Sequence, residues 1–102
     1  MYGLIAKITA VPGRRDELIA ILKEIAADMP GCLSYVVAKD SSDDSALWVP
    51  EVWDSAASHD ASFSLPSIKN AIPQAKAIVS SFTKIAVTTP TWGVGLEPTQ
   101  VS

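Results

Sequence analysis

A chain of 102 residues with a formal net charge of −3 is one small domain. Its Lys and Arg residues are scattered, so the basic patch expected of a nucleic-acid binder is missing. Hydrophobic residues make up 48% and charged ones only 19%, a balance that points to apolar surface covered by a partner.

Cys32 is the only cysteine, which excludes an intrachain disulfide framework and makes a reducing cytoplasm the expected location. The first residues lack the basic and long apolar segments of a signal peptide. No stretch reaches the roughly 18 apolar residues of a membrane span.

Residues 2–11 form a β-favouring run that stops at Pro12-Gly13. Alternation puts Leu4, Ala6 and Ile8 on one face and Ile5, Lys7 and Thr9 on the other. Residues 14–29 carry Leu18, Ile21, Leu22, Ile25, Ala26 and Met29 at helical spacing, with Asp16 and Glu17 in the first turn, where the helix dipole favours them. Pro30-Gly31 ends this helix.

Residues 32–39 and 46–53 read as an antiparallel hairpin across the polar turn from Asp40 to Ser45. Pro50 donates no ladder hydrogen bond, so a bulge is expected there. Asp54 or Ser55 caps a short helix over residues 55–64. A second helical segment spans 66–80, with a kink or break expected at Pro73. Residues 82–89 are the last strand, where simple alternation sets Ile85 and Val87 against Phe82 and Ala86. The domain proper is thus 1–90, and 91–102 is a tail, either frayed or laid across a neighbour, with Trp92 favouring the second.

The order β-α-β-β-α-β predicts an α+β, ferredoxin-like fold with a four-stranded antiparallel sheet and both crossovers on one face. Both faces of the sheet carry apolar side chains, and the expected cover for the second face is another copy of the chain: a homodimer whose sheets close into a barrel.

Val11-Pro12-Gly13, Pro30-Gly31-Cys32, Glu51-Val52-Trp53-Asp54-Ser55 and Ser64-Leu65-Pro66, in this order, make the chain resemble the antibiotic biosynthesis monooxygenase domain to about Thr89. The resemblance implies a dimeric α+β barrel. It also brings in activities that include cofactor-independent oxygenation of quinols and polyketide aromatics, haem degradation and small-molecule isomerisation. Many members carry a histidine four residues before the helix proline; that position is Ser62 here, and the chain's histidine, His59, lies three residues earlier. The haem-degrading members use an asparagine on the first strand, which this chain lacks.

His59 is the expected catalytic base, because its unperturbed pKa lies near neutrality. The alternative is a half-exposed helix histidine with no role. Trp53, Phe63, Ser62, Tyr35, Trp48 and Glu51 are the candidate substrate-binding residues, each weighed against ordinary packing. Trp48 and Trp53 fall on opposite faces unless a bulge intervenes. Glu51 is expected to pair with Lys7, Lys84 or a group across the dimer. No His/Cys/Asp cluster or phosphate loop is visible, so no metal or cofactor is expected. The functional expectation is oxygenation of a small hydroxylated aromatic or quinol; the alternatives are a non-catalytic dimeric binding or structural protein and an isomerase of a small metabolite.

Overall fold

The computed structural model describes residues 1–96. Its elements are β1 (Tyr2–Ala10), α1 (Arg15–Ala26), β2 (Cys32–Tyr35), β3 (Ala38–Lys39), β4 (Ala46–Trp53), α2 (Ala56–Ser62), α3 (Pro66–Ile78) and β5 (Val79–Thr88). The sheet order is β2-β4-β1-β5, with β3 also paired to β4, and every pairing is antiparallel. Counting β2 and β3 as one interrupted strand, this is the ferredoxin-like order. None of the described helices is long and apolar enough to cross a membrane.

β1 is one of the two inner strands, and its alternation is regular. Leu4, Ala6, Ile8 and Ala10 are buried on the helix side, while Ile5, Lys7 and Thr9 are half-buried on the other. From α1, Leu18 and Leu22 reach down onto this row. They join Ile8, Ala10, Leu47, Val49 and Ile78 in the core, in which Leu18 and Leu47 are 0% exposed.

The hairpin loop is tied down by charge. The Asp40 carboxylate accepts hydrogen bonds from the Ser42 and Asp43 amides at 2.8 and 3.0 Å and from Trp48 Nε1 at 2.7 Å. With these donors, Trp48 first, its acid is held down to about 2. Arg15, at the start of α1, donates to the Asp43 carbonyl at 2.9 Å.

Three local expectations change. Pro50 causes no bulge in β4, whose pairing with β1 runs in regular register from Thr9↔Ala46 to Tyr2↔Trp53. Its missing N–H instead interrupts the partner strand. The Val36 amide donates to the Pro50 carbonyl at 3.1 Å, but Pro50 returns nothing, so the expected single strand over 32–39 divides into β2 and β3. The irregularity in this hairpin lies in β2, between Cys32 and Ser34.

Pro73 does not break the helix. α3 continues through it, with Pro73 on the exposed side, where water can meet the carbonyl that lacks a helical donor.

β5 does not alternate simply. Its register against β1 shifts between Ile5 and Ala6 and again between Thr9 and Ala10. Phe82 therefore stands opposite Ile8 and Val87 opposite Leu4, so both belong to the helix side. The expected division of Val87 from Phe82 is overturned by these extra residues.

Gly31 connects the two halves of the hairpin end. Its φ is +86°, and a Cβ there would lie 2.6 Å from the Cβ of Ser58 on α2. The Asp54 amide donates to the Gly31 carbonyl at 2.9 Å, which fixes the start of α2 against the start of β2. Past β5 the chain crosses Gly3, where a side chain would collide with Thr88 and Pro90. Trp92 is then 79% exposed, and the rest of the expected tail, residues 97–102, lies outside the described residues.

Leu47→Ala removes a fully enclosed side chain from the middle of this core. It should lower the unfolding free energy by about 2–5 kcal/mol in urea titration. Lys69→Ala, on the exposed side of α3, should change it by less than about 0.5 kcal/mol.

Candidate functional site

The site is built where β4 ends and α2 begins. Alternation along β4 turns Leu47, Val49, Glu51 and Trp53 toward the helices. Trp53 is 1% exposed, and its indole Nε1 donates to Glu51 Oε1 at 2.9 Å. The strand ends at Trp53, and Ser55, which is extended, caps α2 by accepting from the Ser58 amide at 3.1 Å.

That cap sets the phase of α2 and brings His59 over the end of the sheet. The imidazole sits among three aromatic rings: its centroid is 5.4 Å from Tyr2, 5.4 Å from Trp53 and 5.3 Å from Phe63. The Trp53 and Phe63 contacts are edge-on, at 81° and 90°. His59 Nδ1 lies 3.2 Å from Asp60 Oδ1. A proton assigned to Nδ1 is held by this carboxylate, which leaves the Nε2 lone pair uncommitted.

Below and beside this ring is a cavity of about 340 Å³, open on one side. β1 provides its floor with Leu4, Ala6 and Ile8, and α1 and α3 provide its walls through residues such as Leu22, Ile68 and Ile72. The size lies at the lower end of the range for small-molecule sites, and the lining is mostly apolar.

Glu51 is the carboxylate of this cavity. Burial pushes its acid up; the Trp53 hydrogen bond and nearby His59 oppose that in part. Burial also raises the Tyr35 phenol far above its ordinary value, with Glu51 and Cys32 adding to the effect. Cys32 moves the same way, by burial first and then Glu51. Negative charge is thus disfavoured round Glu51, and the Trp53 N–H first, then His59, relieve it in part.

Of the expected site residues, His59, Trp53, Phe63, Ser62, Tyr35 and Glu51 all line the cavity. Ser62 does so with its hydroxyl already committed, donating to the His59 carbonyl at 2.6 Å. Phe63 is 53% exposed and stands at the rim. Trp48 does not belong to the site: regular register leaves it on the opposite face, with the Lys7 ammonium 5.4 Å from its ring. For the same reason the expected Glu51–Lys7 pair does not form. Among the described residues Glu51 has no ion-pair partner and takes the Trp53 N–H instead.

Tyr2 and Asp60 also belong to the surroundings of His59. Tyr2 enters because β1 pairs with β4 and sets it opposite Trp53, a contact between strands distant in sequence. Asp60 could have been suspected from its place beside the only histidine. Among the described residues no three His, Cys, Asp or Glu side chains converge as a metal site would require.

A raised acid pKa has a definite sign in stability. The folded state holds the Glu51 proton more tightly than the unfolded chain, so stability falls as pH rises from the unfolded value of about 4.5 through the folded one. Gln at this position still accepts from Trp53 Nε1 but cannot ionise. Glu51→Gln should therefore melt higher than the parent at pH 7, with the difference closing toward pH 4. A difference that is constant across that range would contradict this account of Glu51.

The family model for antibiotic biosynthesis monooxygenase matches residues 1–74. A solved structure from Chloroflexus aurantiacus J-10-fl, provisionally named an antibiotic biosynthesis monooxygenase, is 52% identical to this chain. The match covers 94% of this chain and 98% of that one, with a TM-score of 0.90. A structure from Deinococcus radiodurans with the same provisional name is 23% identical, covers 91% and 95% of the two chains, and has a TM-score of 0.76. Another from Nitrosomonas europaea shares 8% identity over 90% and 100% of the two chains, at a TM-score of 0.79. The last two show likeness of fold alone. A comparison with functionally curated proteins gives no significant match. The sheet order, the helix-lined cavity and the family match over most of its length agree: this chain belongs to the antibiotic biosynthesis monooxygenase family.

Proposed function

We propose that this chain is a cofactor-independent monooxygenase of a small hydroxylated aromatic or quinol, bound between the sheet and the helices. The observation that carries the reading is His59. One ring nitrogen is within reach of Asp60, the ring is enclosed by Tyr2, Trp53 and Phe63, and the residue lines an apolar cavity.

In this reading Nε2 takes the proton of a substrate hydroxyl. The resulting phenolate is electron-rich at its ortho and para carbons, and one of them forms a C–O bond to dioxygen. The proton returns to the distal oxygen, giving a hydroperoxide on a carbon that still bears its hydrogen. Loss of that hydrogen with the O–O bond releases water and leaves a carbonyl. One oxygen atom enters the product, the other leaves as water, and the substrate's two hydrogens supply that water. Apolar walls serve this chemistry by keeping bulk water from the anion.

A second reading, isomerisation of a small metabolite, is favoured by the presence of Glu51 and His59 in one cavity, since two proton carriers suit a proton shift. Oxygen uptake separates the two. With 1,4-dihydroxynaphthalene as substrate, His59→Ala should lower dioxygen consumption above the autoxidation background by roughly 10²–10⁴-fold. Asp60→Asn should lower it less, because the ring stays in place. An unchanged rate in His59→Ala would reject the oxygenase reading.

The reading includes a homodimer with facing sheets, residues 91–96 laid on the partner, in the reducing cytoplasm that suits the free Cys32. Its support is the face opposite the helices, where Ile5, Trp48 and Val52 are half-buried and Val36 is 48% exposed. Sedimentation equilibrium should give twice the chain mass, and Ile5→Lys, which sets a charge at the middle of that face, should give the monomer. A monomeric parent would exclude the barrel.

A further inference from the structure

The cavity is longer than the group His59 can serve, and its two ends differ in chemistry. Tyr35, Glu51 and His59 gather at one end. On the sheet, Glu51 stands opposite Leu4, and at the other end Phe82 stands opposite Ile8. Leu4 and Ile8 both line the cavity, and four residues of strand separate them, about 13 Å. The helix above gives an independent measure: Ile68 and Lys76 of α3 also line it, and eight residues of helix span about 12 Å. Between the two ends the floor is Ala6 and the wall is Ile72 and Ala75, all apolar. Lys76 is exposed at the far rim.

A single hydroxylated ring at the polar end leaves that passage unfilled. Water there would meet apolar walls and find few hydrogen-bond partners. The small side chains of Ala6 and Ala75 keep the passage open where larger residues would have closed it.

We infer that the substrate is an amphiphile: a hydroxylated ring seated at Glu51 and His59, carrying an apolar arm of several carbons that runs under α3 toward Phe82. The inference deepens the oxygenase reading and rests on its placing the ring beside His59. The arm supplies binding energy and orientation; the ring carries the reacting atoms. Ala75 is then a specificity-determining residue, since its size decides whether an arm can pass.

The test reads binding rather than turnover, so that it stands apart from the oxygenase reading. Anaerobic calorimetric titrations of the intact protein would use 1,4-dihydroxynaphthalene and its 2-methyl, 2-butyl and 2-octyl homologues. Each buried methylene is worth at most about fourfold in Kd, the equivalent of about 0.8 kcal/mol. We expect at least roughly a tenfold gain from methyl to butyl. Ala75→Phe, placed on the half-buried side of α3, should abolish that gain. Circular dichroism would establish that the variant is folded, and Ala75→Leu, with a smaller obstruction, should give an intermediate loss.

A Kd that is independent of arm length, or that rises with it, would overturn the inference. So would a gain that survives in both Ala75 variants, because the arm would then lie elsewhere, and so would the absence of binding by every member of the series. Tail-dependent binding without dioxygen uptake would instead reject the oxygenase reading and leave the amphiphile site in place.

Discussion

The hydrogen bond from Trp53 Nε1 to Glu51 Oε1 is the contact on which the rest of the site depends. It joins two residues of one strand that point the same way, one bringing a large apolar surface and the other a carboxylate. An indole N–H buried this deeply needs an acceptor, and a carboxylate without a cation needs donors. Each answers the other's need inside a space that otherwise offers neither. The pair in turn defines where α2 can sit, because the Trp53 ring packs against His59 nearly at right angles. The Ser55 cap and the Gly31 contact with Ser58 then hold the helix in that place.

What the arrangement avoids is as informative as what it contains. The lysines expected to pair with Glu51 are kept away from it: Lys7 lies on the far face against Trp48, and Lys84 belongs to β5, beyond β1. A lysine in contact would lower the acid and hold it ionised. Without one, burial dominates and pushes the acid up.

Much of this was legible in the residues, and the failures have physical causes. The helix face of β1 follows from Leu4, Ala6 and Ile8 because a regular inner strand obeys its period. The cluster of Trp53, His59 and Phe63 was legible because rare residue types stand close together at a strand–helix junction. The orientation of His59 was not, since the phase of a seven-residue helix depends on which residue caps it, and Asp54 and Ser55 were equally eligible. Pro50 is a conflict visible in the sequence, but a missing donor does not say which strand of the pair will yield. The local sequence shows the defect; the partner shows the damage.

The two register shifts in β5 bear on how this strand can change its length. In a regular strand, adding or losing one residue exchanges its faces from that point onward. Near Ile85 and near Ser80, β5 already carries one residue more than β1 opposes. At those two points a shortening by one would restore ordinary pairing locally, while Phe82 kept its station opposite Ile8. The edge of the cavity is thus insulated from small changes in chain length on either side of it, in a strand where such changes would otherwise turn its lining outward.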